Sequence, residues 1–194
     1  MRLYPQSKRW RAWWQTILLG ISLVIGFTMG NEQLRAQEGP NKINRLDLYA
    51  AFLTKFPHFV EWASHAQEEE QLQIRIGSIG DESFSEQTIR SIKAQKFNGK
   101  PIQFVRLKTA DDIQNVEMLF IHESQDRRVR HIIEAIRGQG ILTFGAMPQF
   151  CEQGGMISFV TKGGKTRFKI NLKRVSEERI KISTKILRMA TLCE

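Results

Sequence analysis

The sequence predicts an α/β domain: a mostly parallel sheet covered by helices, with a C-terminal antiparallel hairpin and a final helix. Three observations predict it. Short apolar runs alternate with helical periodicities between residues 73 and 144, the order of βαβ crossovers. The segment Met118–His122 is an unbroken apolar run up to its last residue, as suits a strand buried on both faces. Two further runs flank Lys162-Gly163-Gly164-Lys165, a hairpin signal.

With 194 residues, one domain is the expectation. Residues 1–36 read as an export signal. Lys8, Arg9 and Arg11 give a basic start, and Ile17 to Met29 form an uncharged apolar run. That run is shorter than the roughly 20 residues of a spanning helix. Cleavage after Ala36 is preferred to cleavage after Gly30. The rival is an uncleaved inner-membrane anchor, with Trp13 and Trp14 at the interface. Either outcome places residues 37–194 in the periplasm.

The first element of the domain is a helix over 42–64, capped by Asn41, with Ile43, Leu46, Ala50 and Leu53 on one face. Pro57 is expected to kink or divide it. Tyr49, Phe52, Phe56, Phe59 and Trp62 add an aromatic stripe richer than core packing requires, which makes it a candidate binding surface. A strand over 73–79 ends at Gly80-Asp81. A helix over 84–95 buries Phe84, Ile89 and Ile92. Asn98-Gly99-Lys100-Pro101 leads into a strand over 102–107, and 111–114 is a helical turn. After the third strand, Ser124 caps a helix over 125–137, ended by Gly138 and Gly140. A fourth strand covers 141–144.

The hairpin strands cover 156–161 and 166–172. In the second, Phe168, Ile170 and Leu172 are expected to face inward, with Arg167, Lys169 and Asn171 outward. A last helix over 174–191 carries Val175, Ile182, Ile186 and Met189 on one stripe. Residues 162–188 hold ten basic side chains against only Glu177 and Glu178, within a chain of net charge +9. Such polarity steers acidic partners or anionic surfaces, the alternative being a solvated face of a strand and a helix.

No catalytic pattern survives inspection. Gly77-Ser78-Ile79-Gly80 lacks the remaining features of a phosphate-binding loop. There is no G-x-S-x-G elbow, and Gly154-Gly155 reads as a turn. His58, His65, His122 and His131 show no metal-ligand spacing, so neither metal nor cofactor is expected. The basic strand lacks interleaved exposed aromatics, which counts against nucleic acid. Asp81 and His122 fall at strand ends, where α/β proteins bind small ligands. Cys151 and Cys193 form either one disulfide or two thiols, in a compartment where disulfides form.

Several segments carry a family likeness: Ala50 to Trp62 (AAFLTKFPHFVEW), Ile76 to Asp81 (IGSIGD), Met118 to Ile121 (MLFI), Gly154 to Phe159 (GGMISF), Phe168 to Asn171 (FKIN) and Lys181 to Leu187 (KISTKIL). In this order and spacing they make the chain resemble the YfiR-like family of periplasmic proteins over about residues 45–190. The resemblance implies a periplasmic α/β domain over 37–194, often a homodimer, without enzymatic activity. It implies a partner as well: the periplasmic part of an inner-membrane diguanylate cyclase, held off so that cyclic di-GMP and biofilm formation fall. A sensor kinase is the alternative partner, and a small-ligand-binding protein the alternative function. Contact is expected through the aromatic helix (Phe52, Phe56, Phe59, Trp62) or the basic strand and helix (Arg167, Lys169, Arg174). Family members often carry a cysteine just before the Met118–Ile121 strand, where this chain has Glu117. Redox control of the four-cysteine kind is therefore not expected, and the resemblance does not vouch for a Cys151–Cys193 bond.

Overall fold

A computed structural model describes residues 44–63, 73–81 and 84–193. The expected export signal, and Asn41 as a cap, lie outside the described residues.

The first helix, α1 (Arg45–Lys55), starts at Asn44, whose side chain accepts the Leu46 N–H at 3.2 Å. It is shorter than the sequence predicts. Pro57 opens a 3-10 turn at Phe56–Phe59, and the chain then becomes a strand, β1 (Val60–Trp62). A proline has no N–H to continue the α ladder but fits a first turn.

β2 (Arg75–Ile79) leads to α2 (Glu86–Lys93), capped by Ser85, which accepts the Thr88 N–H at 3.1 Å. Asn98 and Gly99 both adopt positive φ, 48° and 79°. They turn a small hairpin between β3 (Lys96–Phe97) and β4 (Lys100–Pro101). The sequence reading took this segment only as the entrance to the next strand, β5 (Gln103–Leu107). A 3-10 turn over Ala110–Asp112 precedes β6 (Met118–Ile121). The helix expected over 125–137 begins as a 3-10 segment, Glu123–Arg128, and only then becomes α3 (Val129–Ala135). Its cap is His122 rather than Ser124. β7 (Leu142–Gly145), β8 (Ile157–Lys162) and β9 (Lys165–Asn171) follow.

The predicted helix over 174–191 does not form as one piece. Instead there are α4 (Leu172–Glu177), β10 (Ile180–Ile182), α5 (Thr184–Leu187) and β11 (Ala190–Cys193). Arg179, at φ 56°, breaks the first helical stretch. Met189, expected inward, is 56% exposed. Asn171, expected outward, is buried: it accepts the Arg174 N–H at 3.1 Å and donates to the Cys151 carbonyl at 3.3 Å.

Seven strands form one sheet in the order β11-β9-β8-β7-β6-β2-β5, parallel throughout except for the β8–β9 hairpin. β1 pairs separately with β10, antiparallel, with Val60 opposite Ile182. The expected α/β class, mostly parallel and closed by an antiparallel hairpin, is the architecture found. Apolar side chains pack on both faces. Met118 and Phe120 of β6 join the cluster formed with α1 and α2, while Leu119 and Ile121 join that of α3. Period-2 alternation puts consecutive residues on opposite faces, which is why this strand reads as continuously apolar.

Candidate functional site

The aromatic stripe divides once it is placed. Phe56 and Trp62 are interior, 2% and 4% exposed, and so do not form a contact surface. Phe56 packs edge-on against Phe144 and Phe168, with centroids 5.0 and 5.4 Å away. The cause is the change from helix to turn and strand at Pro57: along β1 the side chains alternate, Val60 and Trp62 inward and Glu61 outward. Phe52 is half-buried against Phe159 and Phe168. Phe59, also half-buried, lines a groove of about 630 Å³ with His58, Glu61, Phe97, Lys181 and Ser183. No local signal announces this groove, because it depends on the pairing of β1 with a distant β10.

The basic candidates divide too. Arg167 is exposed on β9, and Lys169 is half-exposed, with Nζ 3.8 Å from a Glu152 carboxylate oxygen. Arg174 is only 8% exposed. Its Nε donates to the Gly154 carbonyl at 3.3 Å, and its guanidinium pairs with Glu177. A buried, satisfied arginine of this kind fastens α4 to the turn before β8 and offers little to a partner. Exposed positive charge does lie on the hairpin, where Lys162 and Lys165 face one another across the strands, with Arg167 two residues on.

Asp81 and His122 do come together. The sheet grows outward from β2 in both directions, to β5 on one side and β6 on the other, so their C-terminal ends form a switch point. Ser124 fills that point. Its hydroxyl accepts the Asp81 N–H at 3.0 Å and lies 3.1 Å from His122 Nδ1, which also accepts the Ser124 N–H. Gly80 holds the approach open with φ 119°; a Cβ there would stand 2.7 Å from that of His122. The Asp81 backbone, Ser124 and His122 are thus linked by hydrogen bonds, and His122 caps the following turn.

Cys151 and Cys193 are bonded, with Cα atoms 6.4 Å apart, which joins β11 to the loop before β8. Among the described residues, no group of three histidines, cysteines or carboxylates gathers as a metal site, and no helix is long and apolar enough to cross a membrane.

Fold and surface together define the class: an α/β domain with helices on both faces of the sheet. The chain belongs to the YfiR/HmsC-like family, which matches residues 46–191. That family consists of regulatory, non-enzymatic periplasmic proteins. No curated protein matches the chain. Among solved structures, a conserved domain protein from Vibrio cholerae O1 biovar El Tor is 12% identical with a TM-score of 0.50, covering 77% of this chain and 60% of its own. The ABC domain in complex with L-Trp from Streptococcus pneumoniae is 13% identical with a TM-score of 0.47, covering 68% and 58%. The chain thus spans about three fifths of these structures, and the first of them speaks to the fold alone.

Proposed function

We propose that this protein is a periplasmic inhibitor of an inner-membrane signalling enzyme, a diguanylate cyclase, and lowers cyclic di-GMP by binding the enzyme's periplasmic part. Membership of the YfiR/HmsC-like family over residues 46–191 carries this reading. Residues 1–36 serve as its export signal, and residues 37–194 are the exported domain. The exposed hairpin charge of Lys162, Lys165 and Arg167 supports an acidic patch on the partner. Inhibition follows from differential affinity: a regulator that binds the inactive conformation more tightly draws the equilibrium toward it.

The test is deletion of the chromosomal copy, with cyclic di-GMP measured in the same cells. A rise, reversed by the exported chain and accompanied by capture of a membrane cyclase from detergent extracts, supports the reading. Unchanged cyclic di-GMP counts against it, and capture of a sensor kinase would redirect it.

A further inference from the structure

The hairpin of β8 and β9 ends in an open, basic corner. Gly163 and Gly164 turn it at φ 57° and 71°, and a Cβ built on either would meet nothing within 4 Å, so nothing packs against the tip. Lys162 and Lys165 stand opposite one another at its base. Arg167 lies two residues along β9 from Lys165, on the same face of the strand. Ala190 is aligned with Phe168, so the chain enters β11 beside Arg167 through Arg188 and Met189. Lys162, Lys165, Arg167 and Arg188 are exposed, and Met189 is 56% exposed. Residues 146–193 contain three carboxylates, Glu152, Glu177 and Glu178. Glu152 lies 3.8 Å from Lys169, Glu177 pairs with Arg174, and Glu178 is buried, accepting the N–H groups of Gly138 and Gly140 at 2.9 and 3.0 Å. Glu194 follows Cys193, at the opposite end of β11 from Arg188, outside the described residues. Glu123 and Asp126 follow β6, which lies two strands from β8 and three from β9, about 10 and 14 Å at 4.8 Å per strand.

We propose that this corner docks on the anionic phospholipid surface of the membrane, with Lys162, Lys165, Arg167 and Arg188 toward the headgroup phosphates and Met189 entering the interface among them. The proposal goes beyond the regulator reading and needs no cyclase. Shape selects the occupant. A small ligand needs a concave pocket, and an unpacked hairpin tip offers none. A protein partner is most often anchored by aromatic side chains set in desolvated pockets, and residues 160–167 hold no aromatic. A charged plane asks for neither. Each lysine or arginine that comes near such a plane adds about fivefold to the affinity. An apex of two glycines carries no side chain to hold the flanking ammonium groups away from it. An apolar side chain beside the basic ones adds burial at the acyl boundary. The attraction is electrostatic in the main, so salt weakens it.

The test is co-sedimentation of the exported chain, recovered without detergent, with vesicles of phosphatidylcholine alone and of phosphatidylcholine mixed equally with phosphatidylglycerol. The expected result is binding to the mixed vesicles only, weakening as salt is raised, with hydrogen exchange slowed at residues 161–167 when those vesicles are present. Lys162→Gln combined with Lys165→Gln should lower the partition coefficient about twenty-five-fold, at about fivefold per charge, with an unchanged circular dichroism spectrum. Lys173 lies past the far end of β9, about 20 Å from Lys165 at 3.4 Å per residue. Lys173→Gln should therefore bind as the wild type does. Equal binding to both kinds of vesicle, binding to neither, a double variant that binds like the wild type, or the same loss per charge in Lys173→Gln would each overturn the proposal. The exchange pattern needs no variant, so slowing elsewhere than the hairpin overturns it even if the substitutions disturb the fold. A chain that ignores both vesicles yet lowers cyclic di-GMP would remove the lipid contact and leave the regulator standing. One that binds the mixed vesicles without altering cyclic di-GMP would do the reverse.

Discussion

The ring of Phe150 occupies the space that a side chain on Gly155 would need: a Cβ there would lie 2.3 Å from it. Gly145, at the end of β7, meets the other edge of the same ring, with its own hypothetical Cβ at 2.6 Å. Two glycines thus hold one phenylalanine between β7 and the start of β8.

Gly155→Ala should accordingly destabilise the domain by about 1–3 kcal/mol, the usual cost of overpacking a filled core. Its urea midpoint should fall with no change in slope, and Phe150→Leu in the same chain should restore part of the loss. An unchanged midpoint for Gly155→Ala would refute the steric account.

The Cys151–Cys193 bond closes a 42-residue separation. Chain-entropy arguments give about 4 kcal/mol for a loop of this size. Replacing both cysteines with serine should lower the melting temperature by roughly 10 °C, at about 2–4 °C per kcal/mol for a domain of this length. Reductant should lower the wild type to the same value and leave the variant where it is.

Tyr49 lies flat on Phe159, with centroids 4.4 Å apart, and its hydroxyl is held above the ordinary tyrosine value of about 10. Burial is the main cause; Arg45 opposes the shift and Glu123 adds to it. The folded value is raised, so the stability it contributes is complete below pH 10 and is lost as the pH climbs through that higher value. The gap in urea midpoint between wild type and Tyr49→Phe should therefore change above pH 10 and stay constant below it. In a chain cleaved after Ala36, Tyr49 is the one tyrosine, so its ultraviolet ionisation can be followed directly.

Lys162 and Lys165 are cross-strand partners of like charge, an arrangement that disfavours the hairpin. Lys165→Glu should add a few tenths of a kcal/mol to stability while weakening capture of the membrane partner and flattening its salt dependence. Capture as strong as wild type would remove the hairpin from the interface.

The parallel core was legible because its signals are local. Met118–Ile121 is apolar without a break because both faces are covered, and the Gly163-Gly164 turn announces its hairpin. What misled was periodicity at the two ends. Val175, Ile182 and Ile186 keep helical spacing, yet a positive-φ Arg179 and a three-residue strand lie between them. Phe52 to Trp62 reads as one stripe, yet Pro57 sends Phe56 and Trp62 inward while Phe59 lines a groove. β1 and β10 exist through each other, and nothing within either segment reveals a partner so far away. The same holds for Asp81 and His122: their position at a strand end was readable, but the Ser124 hydroxyl that joins them was not.

The pairing of Val60 with Ile182 also orders events in time. The strand that follows the first helix stays without its mate until residues 180–182 have been made. Such long-range closure slows folding. It also means that a fragment lacking either strand leaves the other without its partner, so the two ends of this pairing stand or fall together.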